Sequence, residues 1–311
     1  MPTAHRHTKF SVKEIDQYFS RLQVTPGSKE SIYDINEISP KKSVEYLEFL
    51  QRQHLAYIPF ENLSLHYSRW RQISLHPEDL SKKIVQSPGR GGYCMELNAL
   101  FATLLRSLGY KLRTCGARTH DGKKFGGWSH HVNLVTIADE MFLLDVGYGP
   151  NNPITPLSLQ QEGKVVGAIH EEQNRVIQTG LEDNEDPSQK VWVYQHRQDP
   201  DGPWINCYCF TELEFRPEDF EVMNLSTSQS PRRFFTQRVF RTKMVLDESG
   251  KNIVGRLTLG RDIKKSHNGK SETYEVFATE SDRLSALKKY FSIELSESDS
   301  SAIIGTIAEI K

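Results

Sequence analysis

Over the first hundred residues, apolar side chains recur at helical spacing. Ile15, Tyr18, Phe19 and Leu22 fall on one face, and Ser11 with Glu14 three residues later offers a capping box for a helix running towards Leu22. Val44, Leu47 and Leu50 repeat the spacing over Ser43 to His54 before Pro59 stops it. The strongest stripe runs from Cys94 to Leu108, with Leu97, Leu100, Phe101, Leu104, Leu105 and Leu108 in line and Gly109 as a natural stop.

From about Lys111 to Phe220 the pattern changes to strands and turns. Val132 to Ile137 and Met141 to Val146 are β-rich runs divided by Ala138-Asp139-Glu140, which predicts a hairpin. Residues 180–190 are an acidic, turn-rich interruption that reads as a solvated loop. Further on, Val239 to Leu246 and Ile253 to Leu259 predict two strands, and a turn at Asn268-Gly269 leads into a third over Thr273 to Ala278. Ser281 is expected to cap a short helix that turns Leu284, Leu287 and Tyr290 inward, and residues 293–310 form the tail.

A length of 311 residues exceeds what one core usually supports and suggests about two domains. Its 39 Lys and Arg against 40 Asp and Glu leave a net charge of −1, which argues against general binding to nucleic acid or to an anionic membrane surface. Four cysteines without CxxC spacing point to a reducing compartment, with neither a disulfide scaffold nor a zinc site. No apolar segment follows the basic N-terminal residues, and no 18 apolar residues run together, so a cytoplasmic protein is expected.

One cysteine stands apart from the bland reading of a small buried hydrophobe. Cys94 opens the strongest helix directly after Arg90-Gly91-Gly92-Tyr93, where unpaired N–H groups and the positive end of the macrodipole favour a thiolate. A nucleophile of this kind needs a base, and the base an orienting group. His130-His131 begins one strand of the expected hairpin and Asp145 ends the other, so the fold would bring a histidine and a carboxylate together. An aspartate closing the apolar run Phe142-Leu143-Leu144 needs a partner once buried.

Pro59-Phe60-Glu61-Asn62-Leu63, Arg90 to Asn98, Ser129 to Val135 and Leu144-Asp145-Val146-Gly147-Tyr148-Gly149 resemble, in order and spacing, the successive signatures of the arylamine N-acetyltransferase family, in a fungal-type member. Asp219 to Asn224, Ser230-Pro231 and Tyr290 to Ile293 resemble its later segments. The resemblance implies an α+β protein with a papain-like cysteine-transferase core. Its parts would be an N-terminal helical bundle (1–110), a central β-barrel (111–220), an interdomain segment (221–243) and an α/β lid (244–311).

It implies a Cys94, His130, Asp145 triad, with ungapped register favouring His130 and leaving His131 as a partly exposed residue on the other strand face. It implies transfer of an acyl group from acyl-CoA, either acetyl-CoA or malonyl-CoA, to a small-molecule arylamine or arylhydrazine, with a detoxifying role towards xenobiotics and with no metal. Gly147, Tyr148, Gly149 and Ser230 resemble coenzyme-contacting positions, although Gln229 stands where Thr is common. Phe60 and Tyr148 would line the substrate pocket, while Glu61 and Asn62 would tie helix ends together by hydrogen bonds. Arg118 is a cation that would pair with a malonyl carboxylate. Cys115 reads as core, Cys207 and Cys209 share one strand face, and His5, His7 and His120 receive no ligand role. Two rivals remain: a hydrolase or transglutaminase-like enzyme with the same triad, since that triad occurs on other papain-like cores, and a non-enzymatic binding module.

Overall fold

Residues 8–186 and 188–311 are described by the computed structural model, and His5 and His7 lie outside them. Helix α1 (Val12–Arg21) starts from the expected capping box, in which Ser11 N–H donates to Glu14 Oε2 at 2.8 Å and Glu14 N–H donates back to Ser11 Oγ. Helix α2 (Pro40–Tyr57) begins earlier than its apolar pattern, because Ser39 caps it and Pro40 occupies the first turn, where no N–H partner is needed. A short α3 (Pro77–Leu80) runs into a π-turn. Helix α4 (Cys94–Ser107) is buried on almost every face, and Gly109 at φ +92° supplies the left-handed stop. Its Leu97, Leu100, Phe101, Leu104 and Leu105 pack with Tyr18, Leu47 and Leu50 into one core.

The middle of the chain forms an eight-stranded antiparallel sheet. In chain order its strands are β2 (Lys111–His120), β3 (Phe125–Ile137), β4 (Glu140–Leu144), β5 (Leu157–Ser158), β6 (Val166–Gly167), β7 (Gln173–Gly180), β8 (Lys190–Arg197) and β9 (Ile205–Glu214). Spatially they run β5-β4-β3-β2-β9-β8-β7-β6. The sheet curls until its ends nearly meet: past β5, Gly163 N–H donates to Val176 of β7 at 2.8 Å, and Glu162 accepts from the Gln178 amide. The barrel so formed is filled by Val132, Leu143, Val176, Tyr194, Tyr208 and Phe210. The β3–β4 hairpin is tighter than expected, since Glu140 already pairs with Ile137 and only Ala138 and Asp139 turn, Ala138 at φ +52°.

Helices α5 (Pro217–Gln229) and α6 (Phe234–Gln237) lead to the second sheet. Its five strands are a short edge strand from the first part of the chain and β10 (Arg241–Leu246), β11 (Ile253–Leu259), β12 (Asp262–His267) and β13 (Lys270–Val276), with α7 (Glu280–Phe291) and α8 (Glu297–Ser300) after them. Strand β12 escapes the apolar pattern because Ile263 is its one buried residue. Thr279, not Ser281, caps α7: its hydroxyl accepts from the Asp282 amide, and Asp282 accepts from Thr279 N–H at 2.9 Å. Leu287 is fully buried as expected, but Leu284 and Tyr290 are only partly so. The expected α+β class, with a helical N-terminal part, a barrel and an α/β C-terminal part, describes this chain.

A two-residue strand, β1 (Phe60–Glu61), joins the first part to the last by pairing with Arg241 and Thr242 of β10. Glu61 accepts from Arg90 Nε at 3.0 Å, from Gly91 N–H at 3.2 Å and from Leu63 N–H. Asn62 donates to Phe235 and Arg238 carbonyls and accepts from Phe240 N–H, each at 2.8 Å. The expected hydrogen-bonding pair is present and holds helix ends: Asn62 binds the end of α6, and Glu61 binds the first N–H of the short turn Leu63–Leu65 and the segment that enters α4. Burial alone would raise the Glu61 carboxyl; Arg90 and Lys83 with the Leu63 hydrogen bond outweigh it and pull it down to about 2. Its folded value lies below the ordinary one, so its stabilisation is complete at neutral pH and drains as pH falls towards 2. Glu61→Ala, which strands the Arg90 charge, should cost about 3–5 kcal/mol in urea unfolding at neutral pH. The gap from wild type should narrow steadily on acidification; a pH-independent gap would contradict the assignment.

Candidate active site

Two glycines fix the entry to α4. A Cβ on Gly91 would fall 1.9 Å from the Pro59 carbonyl oxygen, so only glycine lets this segment lie against β1, where Glu61 N–H donates to Gly92 at 2.9 Å. Glu96 closes the first turn by accepting from Tyr93 N–H at 3.0 Å while paired with Lys83 at 2.7 Å. Cys94 thus sits buried at the helix N-terminus, its Sγ directed towards the Ser129 carbonyl at 3.7 Å.

Strand β3 is bulged at that point. His130 pairs with Ala117 and Trp128 with Arg118, leaving Ser129 as an extra residue that turns its carbonyl to the thiol. His130 lies in the barrel mouth between the rings of Tyr148 and Tyr208, at 5.3 and 4.9 Å. Its Nε2 donates to Asp145 Oδ2 at 2.7 Å, and its ring also hydrogen-bonds to Cys94. With Nε2 committed to the carboxylate, Nδ1 of the neutral ring is the nitrogen able to accept a proton. Burial opposes charge on this imidazole, but the Asp145 charge and the bonds to Asp145 and Cys94 prevail and raise its pKa. Asp145 shifts the opposite way: burial pushes its carboxyl up, and the His130 charge with donors from His130, Asn98 and Gly147 hold it below the usual range.

Asp145 lies just beyond β4 and is tied down from several directions. Asn98 Nδ2 and Gly147 N–H each donate to Oδ1 at 2.8 Å, while its carbonyl accepts from Gln51 at 3.1 Å and Asn152 at 2.7 Å. Asn98 is a residue to which sequence reasoning gave no role. Its signal was present, because four residues from Cys94 place it on the same helix face. His131, expected to be partly exposed, does point to the opposite face of β3 but is 1% exposed, because Phe220 of α5 stacks on it at 4.0 Å.

The remaining expected positions divide. A Cβ on Gly147 would lie 2.7 Å from Cys94 Cα, so glycine there permits close packing against the first turn of α4. Gly149, at φ +80°, faces Phe60, and Phe60 borders the apolar cluster around Cys94. Tyr148 donates to the Cys207 carbonyl at 2.8 Å. Ser230 ends α5, its hydroxyl accepting from Arg232 and its carbonyl from Thr236. Cys115, Cys207 and Cys209 are buried, and among the described residues no group of three or more His, Cys, Asp or Glu is placed to hold a metal ion. Likewise no described helix is long and apolar enough to cross a membrane.

With this geometry in view, comparison with known proteins is direct. The N-acetyltransferase family model matches residues 43–300. The chain is 32% identical to the N-malonyltransferase FDB2 of Gibberella moniliformis across 97% of this chain and 94% of that one. It is 30% identical to the arylamine N-acetyltransferase / N-hydroxyarylamine O-acetyltransferase of Salmonella typhimurium over 78% of this chain and 75% of the relative. The solved structure of the arylamine N-acetyltransferase from Salmonella typhimurium superimposes with a TM-score of 0.75 at 25% identity, covering 95% and 98% of the two chains. The chain belongs to the arylamine N-acetyltransferase family and is an acyltransferase.

If Asp145 raises the basicity of His130, Asp145→Asn should shift the His130 imidazole titration, followed by NMR, down towards that of a free histidine. Alkylation of Cys94 by iodoacetamide at neutral pH should slow at least about tenfold, with the thiol count in denaturant unchanged. An unmoved His130 titration would sink the assignment.

Proposed function

We propose that this acyltransferase moves an acyl group from acyl-CoA to an arylamine or arylhydrazine through a thioester on Cys94. The observation that carries the reading is the buried chain from Cys94 through His130 to Asp145, with 2.7 Å between the last two. Cys94 sulfur attacks the thioester carbonyl, coenzyme A leaves with its own sulfur protonated, and the amine then attacks the acyl-enzyme. His130 holds the thiol proton during acylation and takes the amine proton during transfer, while Asp145 fixes the tautomer that leaves Nδ1 available. The thioester carbonyl oxygen gathers charge in both steps, and the Cys94 amide at the helix N-terminus is a donor suited to it.

Substrates would enter along an aromatic wall. Phe60 makes edge contacts with Phe235 and Phe240 at about 6 Å, and Tyr148 faces His130. The Gly147-Tyr148-Gly149 turn beside Cys94 and Ser230 at the end of α5 are assigned to coenzyme contact on the strength of the family resemblance. The domain limits at residues 110, 220 and 243, a cytoplasmic location and a role towards xenobiotics belong to the same proposal.

A malonyl donor is the second reading, favoured by two observations. The relative matched over almost the whole chain is called an N-malonyltransferase. In addition, the Arg118 guanidinium lies over the Trp128 ring at 4.4 Å from its centroid, and Trp128 borders the Cys94 cluster. A cation held there would meet a carboxylated acyl group, and a charge-assisted hydrogen bond of about 1.5–3 kcal/mol corresponds to a roughly tenfold to hundredfold preference.

Initial rates with varied acyl-CoA and arylamine should give parallel double-reciprocal lines, and His130→Ala should abolish turnover; intersecting lines would count against the thioester. CoA release at full rate without arylamine would mean a hydrolase. Arg118→Met should lower kcat/KM with malonyl-CoA at least about tenfold while sparing acetyl-CoA. Equal losses for both donors would remove Arg118 from donor selection.

A further inference from the structure

Directly after Tyr148 the chain makes a short turn, Gly149–Asn151, whose closing bond from Asn152 N–H to the Gly149 carbonyl is long at 3.3 Å. A turn closed so weakly takes its shape from side chains elsewhere. The Asn151 carbonyl accepts from the hydroxyl of Tyr194, one of the residues that fill the barrel, at 2.9 Å. The neighbouring Pro150 carbonyl accepts from Arg256 Nε, and Arg256 belongs to β11 of the second sheet.

The other two nitrogens of that guanidinium are committed as well. Nη1 donates to Glu172 Oε1 at 2.7 Å and Nη2 donates to Glu172 Oε2, a two-pronged pair whose side chains are only 13% and 16% exposed. Glu172 is fixed to the barrel just ahead of β7, its N–H donating to the Ile169 carbonyl and its own carbonyl accepting from Ala168. A planar guanidinium held by two prongs leaves its third donor little freedom, so the ion pair aims Nε at Pro150.

Tyr148 depends on the turn that follows it. Its N–H donates across the turn to Asn152 Oδ1 at 2.7 Å, and its hydroxyl donates to the Cys207 carbonyl, with its ring 5.3 Å from that of His130. The Asp145 carboxylate, in contrast, takes its hydrogen bonds from Asn98, His130 and Gly147, all outside the turn. We propose that Arg256 is a positioning residue: it reaches from the second sheet to hold the Gly149–Asn151 turn, fixes the Tyr148 ring beside His130, and so sets the rate at which acyl-CoA reacts without altering Cys94, His130 or Asp145. The effect on rate rests on the acyl-transfer reading; the fixing of Tyr148 does not.

In full-length protein carrying isotope-labelled tyrosine rings, Arg256→Met should move the Tyr148 resonance, identified by its loss in Tyr148→Phe. kcat/KM should fall at least about tenfold for acetyl-CoA and malonyl-CoA alike, while Cys94 alkylation by iodoacetamide stays within about twofold of wild type. Because Arg256→Met strands the Glu172 charge, the second variant combines it with Glu172→Met, which leaves no unpaired charge but still deprives Pro150 of its donor. The pair should regain the urea unfolding midpoint lost in the single variant while keeping the moved resonance and the low kcat/KM. An unmoved Tyr148 resonance would overturn the positioning, and an unchanged kcat/KM would overturn its effect on the reaction. Alkylation and acyl transfer falling together, or kcat/KM recovering with the midpoint in the double variant, would reduce Arg256 to a strut between sheet and barrel and overturn the proposal. A wild type that transfers no acyl group would instead strike the acyl-transfer reading, and the resonance alone would then decide whether Arg256 positions Tyr148.

Discussion

A single carboxylate buried beneath the barrel mouth sets the terms for much of this fold. Removing the Asp145 charge from water is costly unless donors surround it, and those donors come from separate parts of the chain: Asn98 from α4, His130 from β3 and Gly147 from the following turn. Its backbone is held as well, by Gln51 of α2 and by Asn152. The helical part and the barrel therefore meet at a site where the geometry is dictated by electrostatic need, and the same donors that satisfy the charge set the angle at which the imidazole faces the thiol.

Close packing does the complementary work. Gly147 lets the turn after β4 touch the first turn of α4, and Gly91 lets the chain before that turn lie along β1. Larger residues at either position would move Cys94 and His130 apart, and the proposed catalysis by proximity tolerates little displacement. The bulge at Ser129 belongs to the same group of devices, because it turns the Ser129 carbonyl to the thiol, while ordinary strand alternation sends His130 and His131 to opposite faces and so to different environments.

Much of this was legible along the chain because the relevant signals are local. Cys94 announces itself by two glycines and a strong apolar stripe, and Asp145 by being a charge at the end of an apolar run. The long helices and the hairpin follow from periodicity in the same way. What escaped was decided by distant partners. Strand β12 is nearly all polar and exists through its neighbours in the sheet. Burial of His131 depends on a helix about ninety residues further on, and the work of Asn98 becomes visible only when β4 delivers Asp145 beside it.

Strand β1 carries a consequence for how the chain is made. Asn62 is bonded to Phe240, 178 residues later, and closing a loop of that length costs roughly 4–5 kcal/mol of chain entropy. At ordinary rates of synthesis the partner emerges roughly 10–35 s after β1 does. The ion pair between Glu61 and Arg90, only 29 residues apart, can form in that interval and hold the segment in shape, but the strand edge and the Phe60 ring wait uncovered. The aromatic cover over Phe60 is thus completed last, so the nascent chain carries the ordered turn around Cys94 before it carries the segments that close over it.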